Sequence, residues 1–173
     1  MLCLKPRTCL NLAITAITFI TVNQINLKNY SIQANNYLSH ASEIINITST
    51  QNIEPEVIQS IKKLLIESIK ASEAEDIEAG MAMMHPDFPL LSDIANMMEE
   101  LILTYDFDYE YDNVEILEVS ENEAKVKITQ TTRKVAGDAE FRDNRTVVIQ
   151  TLKKYNGEWK FFAVPQILNI EYL

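Results

Sequence analysis

The sequence predicts an α+β domain: helices in the first half pack on a curved antiparallel sheet built by the second half, and a signal-like segment precedes both. Three observations carry this. From Pro55 to Tyr105 apolar side chains recur at helical spacing. From Asp106 onward they recur at spacing two. The strand-like runs are joined by short turns with no helical stretch between them, as an antiparallel meander requires. Such an arrangement leaves room for a pocket between helices and sheet. A chain of 173 residues suits one domain plus a terminal extra.

The N-terminal segment has a basic start, Lys5 and Arg7, and then an apolar run from Leu10 to Val22 broken only by Asn11 and threonines. About 13 residues are too few to span a hydrocarbon core ~30 Å thick, but they fit the apolar core of a secretory signal. Ala34 is the expected cleavage position, although Ile32 is large for the place two before it. The reading is therefore a signal peptide over 1–34, an exported protein (periplasmic or secreted), and only transient contact with a membrane. An uncleaved anchor and a buried N-terminal helix are the competing readings. Residues 35–52 are polar and without sustained period, and read as a flexible linker. His40 lies there and is expected to be solvated.

A domain over 53–173 follows. Asn52 is the expected cap and Pro55 fits the first turn of a helix whose buried face is Val57, Ile58, Ile61, Leu64, Leu65 and Ile69. The register changes at Ser72-Glu73-Ala74-Glu75-Asp76, where Ser72 or Glu75 is expected to cap a second helix with Ile77, Met81 and Met84 inward. Pro86 and Pro89 forbid its continuation. Ser92 is the expected cap of a third helix, with Ile94, Met97, Met98, Leu101, Ile102 and Tyr105 on its face. The methionines at these spacings read as core filling.

In the first strand Phe107, Tyr109 and Tyr111 alternate with Asp106, Asp108, Glu110 and Asp112, so aromatics take one face and acids the other. Alternate carboxylates on a straight strand stand ~6–7 Å apart and cannot wrap a calcium ion; an outward acidic face is the simpler reading. Val114–Val119 continues it. Strands follow over Ala124–Val135, Phe141–Lys154, Trp159–Val164 and Ile167–Leu173. Turns are expected at Ala136-Gly137-Asp138 and at Asn156-Gly157, the strongest hairpin signal of the chain. Apolar residues on both faces of the Phe141–Lys154 strand mark it as an inner strand.

Charge limits the partners. Residues 1–34 hold three of the 15 Lys+Arg and none of the 25 Asp+Glu, so the remainder has 12 against 25, a net charge of −13. Such a body disfavours nucleic acid. Cys3 and Cys9 are the only cysteines, which excludes thiolate metal sites and a cysteine nucleophile from the domain. There is no Gly-rich phosphate loop, no nucleophile elbow and no His-Glu-x-x-His motif. No metal site and no cofactor is implied.

The helix passage Ala71–Met84, then His85-Pro86-Asp87, the run Phe141-Arg142-Asp143-Asn144-Arg145, and Asn156-Gly157-Glu158-Trp159-Lys160-Phe161 together resemble the nuclear transport factor 2-like superfamily, which includes ketosteroid isomerase and SnoaL-like cyclases. The resemblance covers roughly residues 53–173 and implies a cone-shaped sheet. Isomerases of this kind use a carboxylate base with neutral donors inside an apolar cone. The candidate catalytic residues here would be Asp76, His85 and Asp87, with tyrosines as donors, but none aligns on the isomerase positions. Each also has a local explanation, in a helix first turn, at a helix end, or in a proline-flanked loop. Tyr105, Tyr109, Arg142 and Trp159 are the candidate ligand-binding residues. Arg142 and Arg145 could instead form cross-strand ion pairs. The expectation is a non-catalytic cone domain that binds a small apolar ligand or a protein partner, and that could pair as a homodimer through its sheet. The alternative is an isomerase- or cyclase-like enzyme with a carboxylate base in the cone.

Overall fold

The structure, a computed structural model, describes residues 47–49, 53–137 and 140–173. The predicted signal segment and most of the predicted linker lie outside the described residues. The elements, in order, are β1 (Ile47–Ser49), α1 (Pro55–Glu73), α2 (Ile77–Ala82), α3 (Leu91–Thr104), β2 (Asp106–Val119), β3 (Glu123–Ala136), β4 (Asn144–Tyr155), β5 (Glu158–Phe161) and β6 (Gln166–Tyr172).

Helix α1 forms where the spacing predicts it. Pro55 occupies its first turn, and Ile61, Leu64, Leu65 and Ile69 are buried. The expected cap Asn52 is not among the described residues; the capping position is Glu54. Ser72 does not cap the next helix. It is still inside α1, and its hydroxyl donates back to the Ser68 carbonyl at 2.6 Å. Glu75 turns the chain with a left-handed φ of 53°. Asp76, not Ser72 or Glu75, is the cap of α2, accepting from the Ala79 amide at 2.9 Å.

Helix α2 stops at Ala82, earlier than Pro86 requires. The exit segment instead joins β5: the Phe161 amide donates to the Met83 carbonyl at 2.9 Å, and the His85 amide donates to the Phe161 carbonyl at 2.8 Å. Helix α3 starts at Leu91 with Leu90 in the capping position, so Ser92 falls in the first turn rather than at the cap. Its inner residues Ile94, Met98 and Leu101 are buried as expected.

The sheet runs β1-β2-β3-β4-β5, with β6 also on β4. All pairs are antiparallel except β1, which lies parallel to β2 with Ile47 opposite Val114. This corrects the reading of 35–52 as linker throughout. Three residues are too few to show a period, and only the β-branched Ile47-Thr48 favours extension. Strand β4 has β3 on one side and β5 and β6 in succession on the other, so it is the inner strand its composition implied. It starts at Asn144, so Phe141-Arg142-Asp143 precedes it rather than opening it.

Along β2 the buried positions are Phe107, Tyr109 and Tyr111, and then Val114 and Ile116. The phase slips by one because the register skips Asp112: Tyr111 faces Gln130 while Asn113 faces Thr129. That bulge keeps the aromatic and aliphatic halves on the same concave face. Ala124, Val126 and Ile128 of β3 and Val148 and Leu152 of β4 complete the face, and α1 and α3 cover it. The helices and the curved sheet make the α+β cone the sequence predicts.

The outer face is charged. Glu110 meets Arg133 at 3.3 Å, Asp112 meets Arg145 at 3.1 Å, Glu115 meets Lys127 at 3.4 Å and Glu118 meets Lys125 at 2.8 Å. Glu110, Asp112, Glu115 and Glu118 of β2 thus find cross-strand cations.

Candidate functional site

The concave face changes character along its length. Toward the β3–β4 turn the inward positions become Gln130 and Thr132 on β3, and Thr146 and Asn144 on β4, all buried; Gln150, also buried, lies farther from the turn, beyond Val148 and opposite Val126. Alternation places them in line with Val126, Ile128 and Val148, so hydroxyls and amides replace aliphatic side chains in the middle of the cone. Tyr111 faces Gln130 across the strands, and its hydroxyl stands 3.4 Å from Ser68 Oγ on α1. Gln130 Nε2 donates to Thr132 Oγ1 at 3.0 Å. The Gln150 amide donates to the Ala163 carbonyl at 2.8 Å, pinning the passage from β5 to β6. Its Oε1 is buried with no hydrogen-bond partner among the described residues. Beyond this band lies an aromatic group: Tyr105 stacks on Phe107 at 4.9 Å, Phe107 meets Phe141 at 4.5 Å, and Tyr109 meets Phe107 edge-on at 5.7 Å.

The arrangement is an aliphatic wall, a band of neutral hydrogen-bonding groups and an aromatic end. Neutral donors, acceptors and ring faces of this kind suit an uncharged molecule better than an ion. Hydroxyls held to carbonyls and amides are poor bases.

The candidate catalytic residues stand elsewhere. Asp76 and Asp87 are exposed, the first at the start of α2 and the second beyond its end. His85 is buried under Tyr155 and Phe162, with ring centroids 5.6 and 5.2 Å away. Its Nδ1 accepts from the Asp87 amide at 3.1 Å. It closes a turn.

Of the candidate ligand-binding residues, Tyr105 and Tyr109 come together in the aromatic end. Arg142 is exposed, with its guanidinium 4.8 Å from the Tyr172 ring. Arg145 lies on the outer face between Asp112 and Glu171. Trp159 is buried against α1 and donates from Nε1 to Ser60 Oγ at 3.1 Å, apart from the aromatic end.

A carboxylate at the start of β2 is perturbed upward. Burial, and then the nearby Glu75 carboxylate, push the Asp106 carboxyl above its ordinary value. Asp106 Oδ1 is buried without a hydrogen bond among the described residues. Asp106 opens β2 where the register with β3 shifts between Asp106 and Phe107, and it is not among the buried polar residues of the concave face.

The neutral band itself is what residue-by-residue reading missed. Its signal is in the sequence: the period that makes Ala124, Val126 and Ile128 inward also makes Gln130 and Thr132 inward.

Residues 63–173 match the family described as anti-sigma-I factor RsgI9, C-terminal domain. No curated protein matches the chain. Among solved structures, a cystatin-like-fold protein of unknown function from Nostoc punctiforme is 15% identical, with a TM-score of 0.54, 70% of this chain and 96% of that chain covered. A ketosteroid isomerase-like protein from Erwinia carotovora atroseptica is 18% identical with a TM-score of 0.50, covering 67% and 99%. An NTF2-like protein of unknown function from Pseudomonas putida is 11% identical with a TM-score of 0.52, covering 67% and 88%. At these identities the likeness concerns the fold. With its helices on a curved sheet and its match over 63–173, the chain has the nuclear transport factor 2-like fold and belongs to the anti-sigma-I factor RsgI9 C-terminal domain family.

Proposed function

We propose that this chain is an exported, non-catalytic binding domain whose cone takes a small, uncharged, largely apolar ligand. The observation that carries the reading is the neutral band of Ser68, Tyr111, Gln130, Thr132 and Thr146 set between aliphatic and aromatic surfaces. The family's description supports it, because the C-terminal domain of an anti-sigma factor fits a part that registers a ligand or a protein partner better than one that turns over a substrate. Export rests on the pattern of residues 1–34. The rival reading, an isomerase- or cyclase-like enzyme, needs a carboxylate inside the cone; the buried polar side chains among the described residues include no Asp or Glu, and the perturbed Asp106 sits at the first position of β2 rather than among them.

The test is saturable binding of a neutral apolar probe such as progesterone to the purified domain, followed by methyl-resolved NMR. Binding should shift the methyls of Ile128 and Val148. Gln130→Met should weaken it about tenfold, as loss of a buried hydrogen-bonding group does. Shifts confined to the outer face, or an unchanged affinity in Gln130→Met, would overturn the reading.

A further inference from the structure

A second concavity lies outside the cone. Met81 and Ala82 of α2, Met84 and Pro86 of its exit segment, and Leu91 of α3 form its floor, and Tyr155, Asn156, Glu158 and Lys160 of the β4–β5 hairpin form its wall. Its volume is about 410 Å³, within the range of small-ligand clefts. The floor is fixed by backbone, because Met83 and His85 are hydrogen-bonded to Phe161 as if they were a further strand. Two methionines make that floor adaptable to an unbranched aliphatic chain.

The wall carries one cation. The Lys160 side chain is only 17% exposed. Its ammonium donates to the Ala82 carbonyl at 3.0 Å and to Glu158 Oε2 at 2.9 Å. The two partners differ. The carbonyl is the end of α2 and stays. The Glu158 side chain is 66% exposed and reaches the ammonium from solvent. The hydrogen bond from Lys160, and then its charge, hold the Glu158 carboxyl below its ordinary value. An exposed ion pair of this kind contributes little, so another carboxylate can replace it at small cost.

We propose that this cleft binds a small aliphatic carboxylate, whose chain lies on Met81, Met84 and Leu91 and whose carboxylate takes the place of Glu158 on Lys160. The body is acidic overall, so no general attraction for anions helps; the affinity depends on this one ammonium and on the apolar floor.

Octanoate is the probe, with 1-octanol as the same chain without the charge. Titration of the full domain should shift the Met81 and Met84 methyl resonances saturably. Octanol should bind at least tenfold more weakly, as the loss of a charge-assisted hydrogen bond implies. Lys160→Met should weaken octanoate by a similar factor. Since that change also removes the bond to Ala82, Glu158→Gln is the second variant: it removes the competing charge, leaves α2 intact, and should tighten octanoate about two- to threefold. Equal affinity for octanoate and octanol, an unchanged or weaker affinity in Glu158→Gln, or shifts confined to Ile128 and Val148 inside the cone would overturn the proposal. The last outcome would leave the cone's own ligand binding untouched.

Discussion

Replacing Gly137 by alanine tests the joint at the aromatic end of the cone. Gly137 has φ +104°, and a Cβ there would sit 2.6 Å from the Thr104 carbonyl oxygen and 3.2 Å from the Tyr105 Cα. Both are backbone atoms at the α3–β2 junction, so neither can rotate away. The left-handed conformation costs alanine about 1–2 kcal/mol. Forcing the junction apart to a normal contact adds about 1–3 kcal/mol. The stiffer unfolded chain offsets about 0.4–1 kcal/mol of this. The net expectation is a loss of about 1–4.5 kcal/mol, centred near 3, read as a fall in urea midpoint at constant slope. Two controls separate conformation from contact. Gly157, at φ +82° in the hairpin, has nothing within 4 Å, so Gly157→Ala meets the conformational cost alone and should lose about 1 kcal/mol. Gly80 lies in α2 with only the Met98 side chain at 3.7 Å, so Gly80→Ala should be neutral or gain up to about 1 kcal/mol from helix propensity. If Gly137→Ala costs no more than Gly157→Ala, the close approach of β3 to the α3–β2 junction is wrong.

Three further outcomes follow from the same geometry. Asp106→Asn should stabilise the domain at neutral pH by up to about 1 kcal/mol, since it removes a partly buried charge facing Glu75. The folded carboxyl titrates above its ordinary value, so the native state takes up the proton first as pH falls. The advantage of the variant should therefore shrink through that window and vanish below it, in denaturation midpoints followed against pH. Ser60→Ala leaves the Trp159 indole N–H without its acceptor and should cost about 1 kcal/mol, seen as a lower Tm. Arg145→Met breaks the contacts to Asp112 and Glu171 on the outer face, yet should cost less than about 1 kcal/mol at low salt and almost nothing at 1 M salt.

What was legible in the sequence is periodic. The face of α1 and the alternation of β2 could be read directly, because burial of Ile61, Leu65, Phe107 and Tyr111 imposes spacing on the chain. The Asn156-Gly157 turn was legible for a stereochemical reason: both residues have positive φ, 52° and 82°. Helix starts were not. Ser72, Asp76 and Ser92 carry similar capping chemistry, and only the tertiary structure decides that Ser72 is buried within α1 while Asp76 meets the Ala79 amide. The Asp112 bulge shows in the sequence as a slip from odd to even buried positions, visible once Val114 and Ile116 are known to share the face of Tyr111. For the candidate site, Tyr105 and Tyr109 were reachable as an aromatic pair. The neutral band was not reached, because Gln130 and Gln150 are polar and polarity alone suggests solvent. Arg142 and Trp159 drew notice for their chemistry, but the fold uses the first against Tyr172 and the second against α1.

The central claim is that the cone binds without acting as a base. Exchange of the α-protons of an enolisable steroid ketone in deuterated buffer, followed by proton NMR with the purified domain present, tests it most directly. A carboxylate base in the cone would exchange those protons catalytically whether or not isomerisation follows. Saturable shifts of the ketone resonances, with exchange no faster than in buffer, are expected. Exchange that accelerates in proportion to the domain, and is lost in Asp106→Asn, would contradict the claim.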